Sequence, residues 1–194
     1  MGVMADLDYL PRLIDERLAE LLTELPALLI TGPRAAGKTT TARRHAATII
    51  RLDRAAEAAA FHADPDAALR AQPEPVLLDE WQTAPEVLGA IKRAVDDDPR
   101  PGRFLLTGSV RAELQAEMWP GTGRLVRLRL YGLTVRELVG RTSSATFIDR
   151  LARANLELFS LPSDVPDLRG YIELAVRSGY PEPNLRLSAV ARQA

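Results

Sequence analysis

The chain has 194 residues, enough to bury a core as one domain or as one domain with an appendage. Hydrophobic content of 46 % and charged content of 26 % suit a soluble globular protein, and a net charge of −1 gives no electrostatic reason to expect nucleic acid or an anionic membrane as partner. The lack of cysteine excludes a disulfide framework and thiolate metal sites, no apolar run reaches a membrane span, and Met1 to Tyr9 carries no leader pattern, so a cytoplasmic protein is expected.

Leu10, Leu13, Ile14, Leu18, Leu21, Leu22 and Leu25 recur at helical spacing, with Arg12, Asp15, Glu16, Arg17 and Glu20 opposite. This predicts an amphipathic helix over Leu10 to Leu25, laid against the core. Pro26 to Thr31 is a short apolar run of the buried-strand kind. It leads into Gly32-Pro33-Arg34-Ala35-Ala36-Gly37-Lys38-Thr39, which meets the phosphate-loop pattern G-x-x-x-x-G-K-[ST] at every fixed position. Two glycines let the backbone turn tightly and approach phosphate oxygens with no Cβ in the way. The N–H groups between them converge on an anion, and a helix over Lys38 to Ala47 points its positive end at the same place. The expected nucleotide contacts are Gly32, Pro33, Arg34, Ala35, Ala36, Gly37, Lys38, Thr39 and Thr40. Lys38 would reach the β- and γ-phosphates, and the Thr39 hydroxyl would bind Mg²⁺. A chance glycine-rich turn is the competing reading, and the strand-loop-helix setting weighs against it. Lys38 is also one of only two lysines, with Lys92, in a chain whose remaining basic side chains are arginine. A compact, flexible ammonium suits this position better than a rigid guanidinium fork.

Thr48 to Asp53 reads as a second strand, and Ala55–Ala60 and Asp66–Arg70 as short helices broken by Pro65. Gln72 to Pro75 is a loop. Val76-Leu77-Leu78-Asp79-Glu80 is an apolar strand ending in two carboxylates, about 40 residues after the phosphate loop. In a P-loop NTPase, Asp79 would hold Mg²⁺ through its outer shell and Glu80 would polarise the attacking water. Otherwise Glu80 is a charge at a helix start. Ala84 to Val95, begun by Pro85, sets Val87, Leu88, Ile91 and Val95 on one helical face. Asp96-Asp97-Asp98-Pro99-Arg100-Pro101-Gly102 reads as a solvated polar turn, not a metal site.

Arg103 to Ser109 is another buried strand with a small polar end. If it lies between the phosphate-loop strand and the Asp79 strand, Thr107 or Ser109 would face the γ-phosphate and bond the lytic water. Ser109 would equally cap a helix over Val110–Met118. Arg124 ends a glycine-rich loop and is either an arginine that stabilises transition-state charge or a surface residue. Leu125 to Leu130 alternates Val126, Leu128 and Leu130 with Arg127 and Arg129, a strand near a sheet edge. Thr134–Val139 is a short helix, Gly140 to Ser144 a boundary, and Thr146–Phe159 and Asp167–Ser178 are tail helices. His45 and His62 are not spaced as a metal pair, and Trp81 and Trp119 read as packing residues.

The order GPRAAGKTT, LLDEWQTAPEVL with Ile91 and Lys92, FLLTGS, GR before a strand, and SGYPEP resembles a group of bacterial and archaeal AAA-type ATPases. In them a P-loop core precedes a C-terminal domain of unknown function. The resemblance runs from about Tyr9 to Pro183. It implies an ATP-binding core with Lys38, Thr39, Asp79 and Glu80 in the roles above, and the TGS stretch as first sensor with Ser109 favoured. Family members commonly have Gln where this chain has Ala35, and they usually continue for about as many residues again.

The expected fold is therefore a three-layer α/β P-loop NTPase of AAA-like kind, with a mostly parallel sheet and a C-terminal helical tail. Residues 1–25 are expected to be a helix packed on the core, 26–140 the ATPase core, and 141–194 the start of a truncated or missing C-terminal domain. The expected function is Mg²⁺-dependent ATP hydrolysis coupled to a conformational or partner-directed task that the sequence does not name; the expected partners are ATP and a second copy of the chain or another protein, with no membrane. A nucleotide-dependent binding module with negligible turnover is the alternative. A nucleic-acid-stimulated motor lobe ranks last, for want of a basic tract and a second lobe. A GTPase is disfavoured because no Asn-Lys-x-Asp sequence is present.

Overall fold

The computed structural model describes residues 9–70, 72–109, 125–142, 147–152 and 166–186. Among these, β1 Ala27–Gly32, β2 Thr48–Arg51, β3 Val76–Asp79, β4 Phe104–Ser109 and β5 Leu125–Arg129 form one sheet. Its order is β2-β3-β4-β1-β5, and every neighbouring pair is parallel. A parallel sheet needs cover on both faces, and β1 and β3 are accordingly buried at every residue.

Successive strand residues point to opposite faces, and each face has its own core. Leu29, Val76, Leu78, Phe104 and Leu106 pack with Ala58 and Phe61 of α3 (Ala55–Ala63), Leu69 of α4 (Pro65–Arg70), and Val87, Ile91 and Val95 of α5 (Val87–Asp97). Leu28, Ile30, Leu77 and Leu105 pack with Leu18 and Leu21 of α1 (Asp15–Leu22) and Ala42 of α2 (Lys38–Ala42). The three-layer α/β fold follows from this division. At the sheet edge, β5 exposes Arg127 and Arg129 and keeps Val126 and Leu128 half-buried.

Several elements are shorter than the periodicity predicts. α1 begins only at Asp15, after Pro11, which cannot donate within a helix; it ends where Thr23 turns both its N–H and its hydroxyl back to Glu20 O. The helix after the phosphate loop stops at Ala42 and tightens into a 3₁₀ turn, Arg43–His45, in keeping with the low helix propensity of its three threonines. A 3₁₀ turn over Trp81–Thr83 precedes α5, which starts at Val87 rather than Ala84. α5 also runs on through Asp96 and Asp97, so only Asp98 belongs to the expected polar turn. A Lys92–Asp96 pair at 2.9 Å and an Asp98 N–H bonded to Ala94 O carry the helix that far.

The chain divides into two compact units, Ile14–Gly132 and the combination of Met1–Leu13 with Leu133–Ala194. The second unit contains α6 Val135–Leu138, α7 Phe147–Ala152, α8 Leu168–Ala175 and α9 Pro181–Arg186. In α6, Thr134 and Glu137 form a reciprocal capping box. Asp167 caps α8 by accepting from Gly170 N at 2.8 Å. Arg12 belongs to this unit, buried against Glu137 with Nε to Oε1 at 3.0 Å, and not on the polar side of a helix. Among the described residues no helix is long and apolar enough to cross a membrane.

A candidate nucleotide site at the carboxyl ends of the strands

The loop between β1 and α2 is shaped by three residues with positive φ: Gly32 (153°), Ala35 (61°) and Gly37 (95°). At Gly32 a Cβ would lie 1.9 Å from Leu130 O, so no side chain fits there. Left-handed residues within a short loop turn successive N–H groups toward one side, the geometry that receives an anion. Arg34 and Ala35 stand exposed at the tip, while Ala36 is buried.

Lys38 is nearly buried, and its Nζ donates to Gly32 O at 3.1 Å and Pro33 O at 2.8 Å. Burial pulls its ammonium below the ordinary lysine value, against the opposing pull of Glu80 and then Asp79. An arriving phosphate would favour the charged form in the same way as those carboxylates.

Asp79, the last residue of β3, meets this loop. Its Oδ1 accepts from Thr39 Oγ1 at 2.6 Å and also from Thr107 Oγ1. The second bond arises from strand order: β4 lies between β1 and β3, with Thr107 opposite Asp79 and Ser109 opposite Gly32. This is the arrangement on which the sensor reading of Thr107 and Ser109 depends. Thr107 is fully buried with its hydroxyl on Asp79, whereas Ser109 is half-buried at the strand end.

Glu80 follows in the left-handed region, φ 56°. Its carbonyl accepts from Thr83 N at 3.0 Å and Thr83 Oγ1 at 2.8 Å, which fixes the turn. Its carboxylate accepts from Gln82 Nε2. Gln82 is the residue that sequence reasoning passed over, although the DE-x-Q spelling contained it. Trp81 beneath is fully buried in the core, in the packing role expected of it. Arg124, Trp119 and the stretch Val110–Met118 lie outside the described residues.

Among the described residues no group of three or more His, Asp and Glu side chains is placed to hold a metal, the aspartates from Asp96 to Asp98 included. Magnesium does not need such a cage. It binds hard oxygens, commonly one or two from protein, with water and substrate phosphates supplying the rest. The Thr39 hydroxyl and the Asp79 carboxylate, in contact with each other, are oxygens of that kind. A cavity of about 210 Å³ opens at the other end of the strands, beside Glu74, Arg103 and Phe104. Of its lining charges, Arg103 is paired with Glu74, and Asp66 with Arg93, which stands outside the lining.

A family profile described as AAA domain matches residues 24–139. The chain belongs to the AAA domain family. The loop, Lys38 and Asp79 all fall inside the matched stretch, and this AAA domain is an ATP-binding ATPase core of P-loop type. Uncharacterized proteins of Mycobacterium bovis and Mycobacterium tuberculosis are each 35 % identical over 126 residues, 63 % of this chain. That stretch spans only 29 % of the length of those relatives. Among solved structures, a Walker-type ATPase of Pyrococcus abyssi shares the fold, with a TM-score of 0.54 at 16 % identity, covering 95 % of this chain and 68 % of that one.

Proposed function

We propose that this AAA domain hydrolyses ATP with the help of Mg²⁺. The observation that carries the reading is the hydrogen bond from Thr39 to Asp79 at the base of a loop that also positions Lys38. It brings a hydroxyl from the start of α2 and a carboxylate from the end of β3 to one point. Thr39 and Asp79 would hold the metal, which supplies charge neutralisation on the phosphate oxygens. Lys38 would leave its two carbonyls for the β- and γ-phosphates, and the N–H groups of Arg34 to Thr40 would line the phosphate chain.

Glu80 stands directly after the metal carboxylate and is the group we assign as general base. It takes a proton from water as the water oxygen bonds to the γ-phosphorus, and the bond from phosphorus to the β–γ bridging oxygen breaks to release ADP. Thr107, turned onto Asp79, would fix that carboxylate; Ser109, nearer the loop, is left as the sensor of the γ-phosphate. The task coupled to turnover would fall to partners or to a second copy of the chain.

The test is phosphate release from MgATP by the wild-type chain, Lys38→Ala and Glu80→Gln. Turnover lost in both variants, with ATP binding retained in Glu80→Gln, is the expected result. A Glu80→Gln protein that turns over at the wild-type rate removes Glu80 from the role of base. Binding without any release would instead favour a nucleotide-dependent binding module.

A further inference from the structure

A base that must meet one proton of one water needs a fixed carboxylate, and the backbone of Glu80 fixes only half of it. Thr83 holds the Glu80 carbonyl, and the buried indole of Trp81 anchors the 3₁₀ turn in the core. The three side-chain torsions of Glu80 remain. The contact the structure gives its carboxylate is the amide of Gln82, from Nε2 to Oε2. We propose that Gln82 is a positioning residue: it holds one oxygen of Glu80 so that the other faces the attacking water. This rests on the reading of Glu80 as base.

A second observation separates this role from plain structural support. The carboxamide oxygen of Gln82, Oε1, is buried and has no hydrogen-bond partner among the described residues. Buried acceptors are ordinarily satisfied, and leaving one unmade is costly. An amide selected for stability would engage both ends; this one engages the end that reaches Glu80. Trp81 Nε1 in the same turn is likewise without a partner among the described residues, so the turn that carries Glu80 leaves two buried polar atoms unsatisfied. Removing the amide should relieve the orphaned acceptor while releasing the base, so stability and turnover should respond differently.

Gln82→Met keeps the side chain's length and removes both polar atoms. The expected outcome is a kcat lowered about tenfold to a hundredfold, the range by which misplaced or unsupported catalytic groups lose rate. ATP affinity should stay within about twofold and the thermal midpoint should be equal to or above that of wild type. Gln82→Glu, of the same size, sets a carboxylate against Glu80 and should lose kcat at unchanged ATP affinity as well. Neither change should lower the rate further once Glu80→Gln is present, because both act through the same carboxylate.

Wild-type kcat in Gln82→Met overturns the proposal. So does a loss of kcat that follows a fall in both thermal midpoint and ATP affinity, which would mark a structural residue. If Glu80→Gln itself turns over like wild type, or the wild-type chain shows no Lys38-dependent turnover, the assignment of Glu80 falls and Gln82 falls with it.

Discussion

Gly32 is held to glycine by two constraints that act independently. Its φ of 153° is one that side-chain-bearing residues rarely adopt, and the space a Cβ needs is taken by a backbone oxygen, Leu130 O, at 1.9 Å. That oxygen cannot step aside cheaply, because Leu130 N is tied to Thr31 O at 2.8 Å as the chain leaves β5. Gly32→Ala should therefore destabilise the fold by about 2–5 kcal/mol, combining overpacking with backbone strain. Urea unfolding measures it, and a loss below about 0.5 kcal/mol would contradict the account. Ala35→Gly makes the contrast: at φ 61° and exposed, it should be near neutral, since relief of strain offsets the added freedom of the unfolded chain. The phosphate-loop spelling made Gly32 legible as a glycine that must stay one. Its obstacle was not legible, because Leu130 comes from a strand far along the chain. Thr107 and Ser109 teach the same limit. Their polarity was visible in the sequence, but which hydroxyl turns onto Asp79 depends on a register that only the assembled sheet provides.

At the scale of an element, α5 shows how a helix end is fixed from outside. Arg103, just before β4, extends Nη1 to Ala94 O and Asp98 O, each at 2.5 Å, and so satisfies carbonyls at the helix C-terminus. The same guanidinium makes a two-pronged pair with Glu74 and lies 4.8 Å from the centroid of the Phe104 ring. Arg103→Lys keeps the charge but offers one nitrogen where the fork offers several. It should cost about 1–3 kcal/mol in urea unfolding, the scale of hydrogen bonds to a charged group. An unchanged midpoint would mean the fork is dispensable. Helix α5 was legible in its body, where Val87, Leu88, Ile91 and Val95 repeat, and misread at its end. Three aspartates before a proline look like a turn. In the fold, Lys92 and Arg103 give that end the positive partners that let the helix reach Asp97.

For the molecule as a whole, the near-continuous apolar runs of β1, β3 and β4 were enough to foresee cover on both faces, because a strand buried throughout can lie only in the middle of three layers. The second unit was far less legible. Arg12 looks, at helical spacing, like one charge on a solvated face, yet its partner Glu137 lies 125 residues on and both side chains are almost fully buried. Local pattern has no access to a pairing at that separation.

That pair makes the stability of the chain depend on acid in a stated direction. Burial pushes the Glu137 carboxyl up; the N–H groups of Thr134 and Leu13 and the Arg12 guanidinium outweigh burial and hold it below the ordinary glutamate range. A carboxylate with a lowered folded value binds fewer protons in the folded chain than in the unfolded one. Its contribution is thus complete above the unfolded value, about 4.3, and is lost as pH falls through the lower folded value. The urea midpoint of wild type should fall on acidification below about pH 4.5, and Glu137→Gln should flatten that part of the curve. At neutral pH Glu137→Gln should already cost about 3 kcal/mol, because it removes the carboxylate charge that faces a buried guanidinium. Replacing both members, Arg12→Met with Glu137→Leu, should recover much of that loss, since a buried ion pair can be exchanged for apolar side chains at little net cost. A double variant no more stable than Glu137→Gln alone would mean that Glu137 matters chiefly as the cap of α6 and as the acceptor for Leu13, and only secondarily as the partner of Arg12.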